Sequence, residues 1–112
     1  MSEDEHWLCV DSRYDHFNSW DRVIGYGFLR GWHDDWPDIC LGVVVHPEYR
    51  GLGYGEKICR FLLEVGRKRG LQRIRLHVWP GNKTALRLYR KLGFQFDGKI
   101  RNNGELIGLL HL

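Results

Sequence analysis

Residues 43–55 read VVVHPEYRGLGYG, and the fold turns on what this stretch becomes. An apolar run over residues 39–45 ends at His46-Pro47. A short turn follows, and glycines then alternate at Gly51, Gly53 and Gly55 with Arg50 in front. An amphipathic stretch begins directly after them. Strand, glycine loop and helix in that order make an anion site, because the first amides of a helix lack intrahelical partners and the helix dipole puts partial positive charge there. Glycine lets the main chain approach a phosphate with no Cβ in the way, and Arg50 adds a fixed positive charge. The stretch reads as a pyrophosphate site; a glycine-rich turn that merely joins strand to helix is the alternative. A dinucleotide fingerprint has GxGxxG where this loop has GxGxG, and a P-loop has Gly-Lys followed by Ser or Thr where this loop ends Gly55-Glu56-Lys57. Neither fits.

The chain has 112 residues, which suits one domain over residues 1–112. Hydrophobic residues make up 43% and charged residues 28%, an ordinary globular balance that argues against disorder. The net charge of +3 suits an anionic ligand without calling for nucleic acid. No apolar run is long enough to span a membrane, and the polar, acidic start MSEDEH does not read as a signal peptide. Cys9, Cys40 and Cys59 are odd in number and widely spaced, so they read as reduced thiols of a cytoplasmic protein, with no disulfide or metal framework.

Residues 6–13 read as a short strand and 14–22 as a polar loop. Over residues 23–32, Ile24, Tyr26, Phe28 and Trp32 share one face, and Gly25, Gly27 and Gly31 the other. One face is thus aromatic and the other nearly bare backbone, which marks close approach by another element. Residues 33–38 form a loop, and 39–45 a central strand. A helix follows from about residue 53 to 69, with Tyr54, Ile58, Phe61, Leu62 and Val65 on one face. Gly70 stops it. Residues 73–79 form a strand with Ile74, Leu76 and Val78 on one side and Arg73, Arg75, His77 and Trp79 on the other. Asn82 caps a second helix over 83–92, ended by Gly93. Residues 94–101 and 105–112 form a hairpin about Asn102-Asn103-Gly104.

Two motifs carry a family resemblance. Arg50-Gly51-Leu52-Gly53-Tyr54-Gly55 resembles the acyl-CoA loop of the GNAT superfamily of N-acetyltransferases, Q/R-x-x-G-x-G/A. Residues 82–94, NKTALRLYRKLGF, resemble that superfamily's N-x-x-A-x-x-L-Y-x-x-x-G-F, and they follow the loop with one helix and one strand between. The resemblance covers about residues 6–112. It implies an α/β (α+β) fold: a GNAT-like mixed, largely antiparallel sheet with two principal helices. Compared with a typical member, the first strand and first two helices are lacking ahead of the strand at residue 6.

The resemblance implies an N-acetyltransferase that moves an acetyl group from acetyl-CoA to a primary amine by direct transfer in a ternary complex. Val43, Val44 and Val45 would offer backbone groups to the pantetheine arm. Arg50, Gly51, Leu52, Gly53, Tyr54, Gly55 and Glu56 would hold the pyrophosphate. Asn82 would contact the cofactor arm, and Tyr89 would protonate the departing thiolate. As a base, His77 stands at the spacing where some members carry a glutamate, and an imidazole with an ordinary pKa near ~6.5 suits the task; His46, Glu48 and Asp34-Asp35 are further candidates. No cysteine lies within the two motifs, which disfavours an acyl-enzyme. Missing helices would leave one sheet face uncovered, so a homodimer or a partner chain is expected to cover it. The Asp residues of the loops at 14–22 and 33–38 suit a cationic acceptor. A non-catalytic acyl-CoA-binding module is the alternative, and nucleic-acid binding through residues 67–75 has only charge behind it.

Overall fold

The computed structural model describes residues 5–10, 23–31 and 39–112, with residues 5–10 and 23 described as backbone only. Six strands, β1 (Glu5–Val10), β2 (Val23–Arg30), β3 (Ile39–Val45), β4 (Arg73–Val78), β5 (Gln95–Phe96) and β6 (Leu106–His111), form one sheet in the order β1-β2-β3-β4-β6-β5. Every neighbouring pair is antiparallel except β3 with β4. Helix α1 (Tyr54–Lys68) connects β3 to β4 and α2 (Lys83–Lys91) connects β4 to β5. The mixed, largely antiparallel sheet with two principal helices is therefore the architecture the motifs implied.

Side-chain alternation assigns the faces. Ile74, Leu76 and Val78 of β4 are almost fully buried, and they meet Ile58, Cys59, Leu62 and Leu63 of α1 together with Leu86 and Tyr89 of α2 in one apolar core. Both helices thus lie on one side of the sheet. β2 meets that side with Gly25, Gly27 and Leu29. A Cβ at Gly27 would come within 2.5 Å of Ile58 Cγ2 and 2.7 Å of Leu62 Cδ1. The bare glycine face is the seat of α1. The opposite face carries Tyr26, Val44 and Trp79, each more than two-fifths exposed. There the Arg30 guanidinium lies 4.1 Å over the Phe28 ring.

Three details differ from the sequence-based expectations. Phe61, assigned to the core face of α1, is exposed, and the buried stripe continues instead through Cys59, Leu63 and Gly66. Gly66 is part of it because Ile74 Cδ1 packs within 3.0 Å of where its Cβ would be. Arg75, on the polar side of β4, is buried at 4% exposure. The first hairpin strand is cut to Gln95–Phe96, because Asp97 Oδ1 accepts from the Lys99 amide and Gly98 turns with φ +80°. The turn itself is where it was expected: the Gly104 amide bonds Arg101 O at 2.8 Å and the Arg101 amide bonds Glu105 O at 2.9 Å. Residues 11–13, the loops at 14–22 and 33–38, and Trp32 lie outside the described residues. No helix among the described residues is long and apolar enough to cross a membrane.

Each helix closes in the same way. At the end of α2 the Phe94 amide reaches back to Tyr89 O and the Gly93 amide to Arg90 O, both at 3.0 Å, with Gly93 at φ +104°. This left-handed stop swings Phe94 under the helix, where its ring meets Tyr89 edge-on at 5.9 Å. The close approach at Gly27 yields a prediction. Gly27→Ala should destabilise the chain by about 1–3 kcal/mol through overpacking against Ile58 and Leu62. Gly81→Ala, where nothing lies within 4 Å of the new methyl, should stay within about 0.5 kcal/mol of the parent. Denaturant midpoints of the two variants check the contrast.

Candidate active site

The site begins with a pairing that stops. β3 and β4 run parallel but share only two rungs, Ile39 with Ile74 and Cys40 with Arg75. Past Cys40 the strands part. Val43, Val44 and Val45 remain paired to β2 on one side, opposite Gly27, Tyr26 and Gly25, while their other edge faces the gap. A cavity of about 870 Å³ fills the gap on the helix side. Val43, Val44 and Val45 form one wall, and Asn82, Thr84, Ala85, Leu88 and Tyr89 form the other. Tyr49, Arg50, Gly51, Gly53, Tyr54, Gly55 and Glu56 line its mouth.

The mouth has the backbone features of an anion site. The chain leaves β3 through a 3-10 turn, Pro47–Tyr49, capped by His46, whose Nδ1 accepts from the Glu48 amide at 3.1 Å. Gly51 and Gly53 then take φ +79° and +89°, and no protein atom lies within 4 Å of where a Cβ would stand at either. Gly53 is the N-cap of α1 and no side chain caps it. The first helical bond runs from the Lys57 amide to Gly53 O at 3.1 Å, so the amides just before Lys57 point out of the helix end. Arg50 Nε donates to Val45 O at 3.2 Å, which holds the guanidinium across the end of β3. These features fit a pyrophosphate, and the long gap behind them fits an extended chain lying along the β3 edge.

Glu56 stands just inside α1. Its carboxylate bonds Lys91 Nζ at 2.8 Å and Arg60 Nε at 2.9 Å, and those two bonds hold its pKa below the usual carboxylate range. The pair with Lys91 ties α1 to α2 across the cavity mouth. Asn82 Oδ1 accepts from the Ala85 amide at 3.2 Å, the expected N-cap of α2. Tyr89 is 8% exposed, and burial, with the Cys59 thiol adding to it, pushes its hydroxyl up to about 12. That group keeps its proton across the whole working pH range. Burial likewise pushes the Cys59 thiol up to about 12, which makes it a poor nucleophile.

Not every expected residue lines this cavity. The Leu52 side chain is 63% exposed and lies off the wall. His77 projects from the opposite face of the sheet, beside Ile107, into a second cavity of about 800 Å³ lined also by Lys99, Ile100, Arg101, Asn102 and Asn103. It stands on β4 two residues past the last rung with β3, at the start of the gap. Its pKa is lowered, first by burial and next by Arg75, so the ring is neutral near pH 7. Tyr89 therefore lines the gap cavity on the helix side, while His77 opens on the other face of the sheet into a separate cavity. His46 and Glu48 are engaged in the turn and line neither cavity. Asp34 and Asp35 lie outside the described residues. Tyr49, Thr84, Ala85 and Leu88 were not singled out as site residues. Ala85 and Leu88 are fixed positions of the second motif and were legible there.

The acetyltransferase (GNAT) family model matches residues 2–94. The chain belongs to this family. A thialysine N-epsilon-acetyltransferase of Bos taurus is 41% identical over 76 residues, covering 65% of this chain and 45% of that protein. A spermine/spermidine N(1)-acetyltransferase of Bacillus subtilis is 34% identical over 64 residues, covering 56% and 42%. The chain thus spans about half the length of the curated relatives it matches. A solved acetyltransferase from Salmonella typhimurium, with its cofactor acetyl-CoA, superposes with a TM-score of 0.72 at 24% identity, covering 80% of this chain and 58% of that one. The two motifs border one cavity: the glycine loop lies at its mouth, and the N-x-x-A-x-x-L-Y helix forms the wall facing β3.

Asn82→Ala should lower stability by about 1 kcal/mol through loss of the α2 cap, and Asn82→Asp should restore most of it. Thermal unfolding of the two variants reads the difference.

Proposed function

We propose that this chain binds acetyl-CoA in the gap between β3 and β4 and moves the acetyl group to a primary amine by direct transfer. One observation carries the reading: in a chain of this family, the sheet opens beside an uncapped helix N-terminus with left-handed glycines in front. The pyrophosphate lies on the amides of the loop and on Arg50. The pantetheine arm runs along the β3 edge, taking hydrogen bonds from Val43, Val44 and Val45 as a further strand would. Asn82 borders the arm from α2.

Acetyl-CoA supplies a thioester carbonyl that a neutral amine can attack. His77, neutral near pH 7, takes the amine proton from the face opposite the helices. The amine nitrogen bonds the carbonyl carbon, and a β3 amide donates to the developing oxyanion. The carbon–sulfur bond then breaks with its electron pair on sulfur. Tyr89 donates its hydroxyl hydrogen to that sulfur and is reprotonated as His77 gives up the amine proton, through solvent, so CoA leaves as the thiol and both side chains return to their starting states. The titratable groups on the two sides of the gap thus divide the work, His77 as acceptor and Tyr89 as donor. Thialysine and the polyamines, named for two relatives, are primary amines, and they set the first acceptors to try.

Calorimetric titration with acetyl-CoA, followed by thiol release over spermidine, thialysine, methionine sulfone and an N-terminal alanyl peptide, tests the reading. Binding with amine-dependent release is the expected result. Binding with no release on any of these amines would favour the non-catalytic acyl-CoA-binding module. Arg50→Ala and Gly53→Val should lose binding. Tyr89→Phe should bind acetyl-CoA as the parent does and turn over roughly 10²-fold more slowly; normal turnover would remove Tyr89 from the reaction.

A further inference from the structure

The loop between β5 and β6 brings a carboxylate to the imidazole. Glu105 closes the hairpin turn just before β6, and its Oε1 stands 3.7 Å from His77 Nδ1. It does not get there by chance rotation of an exposed side chain. Asn103 Nδ2 donates to the same Oε1 at 2.7 Å, and Asn103 Oδ1 accepts from the Glu105 amide at 3.0 Å. One asparagine thus holds both the carboxylate and the backbone amide of Glu105. The Glu105 and His77 side chains are each about three-quarters buried, at 25% and 26% exposure. The antiparallel register of β4 with β6, His77 opposite Ile107 and Val78 opposite Leu106, holds the two segments together.

We propose that Glu105 is a positioning residue for His77: it binds the Nδ1 side of the ring, fixes the proton there, and turns Nε2 toward the amine. The proposal rests on the transferase reading with His77 as base. A neutral imidazole carries one N–H, and the hydrogen bond made by one nitrogen decides which nitrogen is left to accept a proton. At 3.7 Å the pair is longer than a hydrogen bond; it closes to one on the neutral ring in the working complex, where such contacts tighten, and shortens further when the ring charges. When His77 takes the amine proton, the carboxylate faces the imidazolium that forms.

The charges around the ring are mixed. From its own strand Arg75 opposes the protonated form, and from the hairpin Arg101 does the same, while Glu105 favours it. Lys99 lines the same cavity. Asp97 is bonded to Arg101 at 3.0 Å, and on β3 the Cys40 thiol shares this face. Among the described residues, Glu105 is the carboxylate that acts on His77 directly. Burial and two guanidiniums hold the ring neutral and ready to accept; the carboxylate keeps it from becoming too weak a base. Asn103 fixes the carboxylate, and so belongs to the same device.

Long-range proton–nitrogen spectra of the full chain, with the His77 signals identified by their loss in His77→Gln, test the proposal. The neutral ring should carry its proton on Nδ1. In Glu105→Gln the titration midpoint of His77 should move down, since the favourable anion is gone, and the acid limb of the kcat profile should move with it. Glu105→Ala should lower kcat on the most active amine of the panel by about 10- to 100-fold, the scale at which groups that orient a histidine act, and leave acetyl-CoA affinity unchanged. An Nε2-protonated ring, or a midpoint and kcat unmoved in both variants, would overturn the positioning role while the transferase reading stands. Failure of the parent chain to bind acetyl-CoA, or full activity in His77→Gln, would instead sink the reading beneath it.

Discussion

The structure depends on a parallel pairing that lasts two rungs. Strands in one sheet ordinarily stay paired over their common length, because an unpaired main-chain amide or carbonyl away from water is costly. β3 and β4 give up that pairing after Cys40 and Arg75. What keeps the sheet from fraying is the support on either side. β2 holds β3 along six rungs, from Gly25–Val45 to Arg30–Cys40, and β6 holds β4 along six more. The two halves are then joined from one face by a single apolar core, to which Ile58 and Leu62 of α1 and Leu86 and Tyr89 of α2 belong together with Leu41 of β3 and Leu76 of β4. The gap is not a defect in the sheet; it is a slot whose walls are each anchored elsewhere.

That arrangement explains why the residues on either side of the gap were unequally legible. Val43, Val44, Val45 and the glycine loop form one continuous segment, so their chemistry is written in consecutive letters. The second motif is equally local, since Asn82, Ala85 and Tyr89 recur along one helix. His77 differs. Its parity on β4 was legible, and it placed the ring with Arg75 and Trp79 away from the core residues. Its neighbours were not, because they depend on a register that no local pattern states. Glu105 reaches His77 only because β6 pairs antiparallel with β4 and the hairpin turn tips its first residues over the ring. A reading of the hairpin as two full strands obscured this, since it spread residues 97–101 along a ladder that Asp97 and Gly98 break.

The misassignment of Phe61 has a simpler cause. A helix that lies over a glycine-lined strand can come closer than one seated on larger side chains. α1 sits on Gly25 and Gly27, so Ile58 and Leu62 fill the interface and the buried stripe turns toward Cys59, Leu63 and Gly66. An apolar residue one step round the helix is then left at the rim. Arg75 is the converse, a charged side chain on the non-helix face that is nonetheless buried. Period-two alternation predicts direction, and it says nothing of how deep a direction runs.

Glu56 carries one last consequence. A carboxylate in the first turn of α1 would by itself repel any anion brought to the loop. Lys91 and Arg60 neutralise it with bonds of 2.8 and 2.9 Å, so the helix end carries its own counter-ions. Because those counter-ions are covalent parts of the chain, a polyanion of the kind proposed above would not release them to bulk. They also sit on two different helices, so the carboxylate that would repel an anion also links α1 to α2 at the cavity mouth.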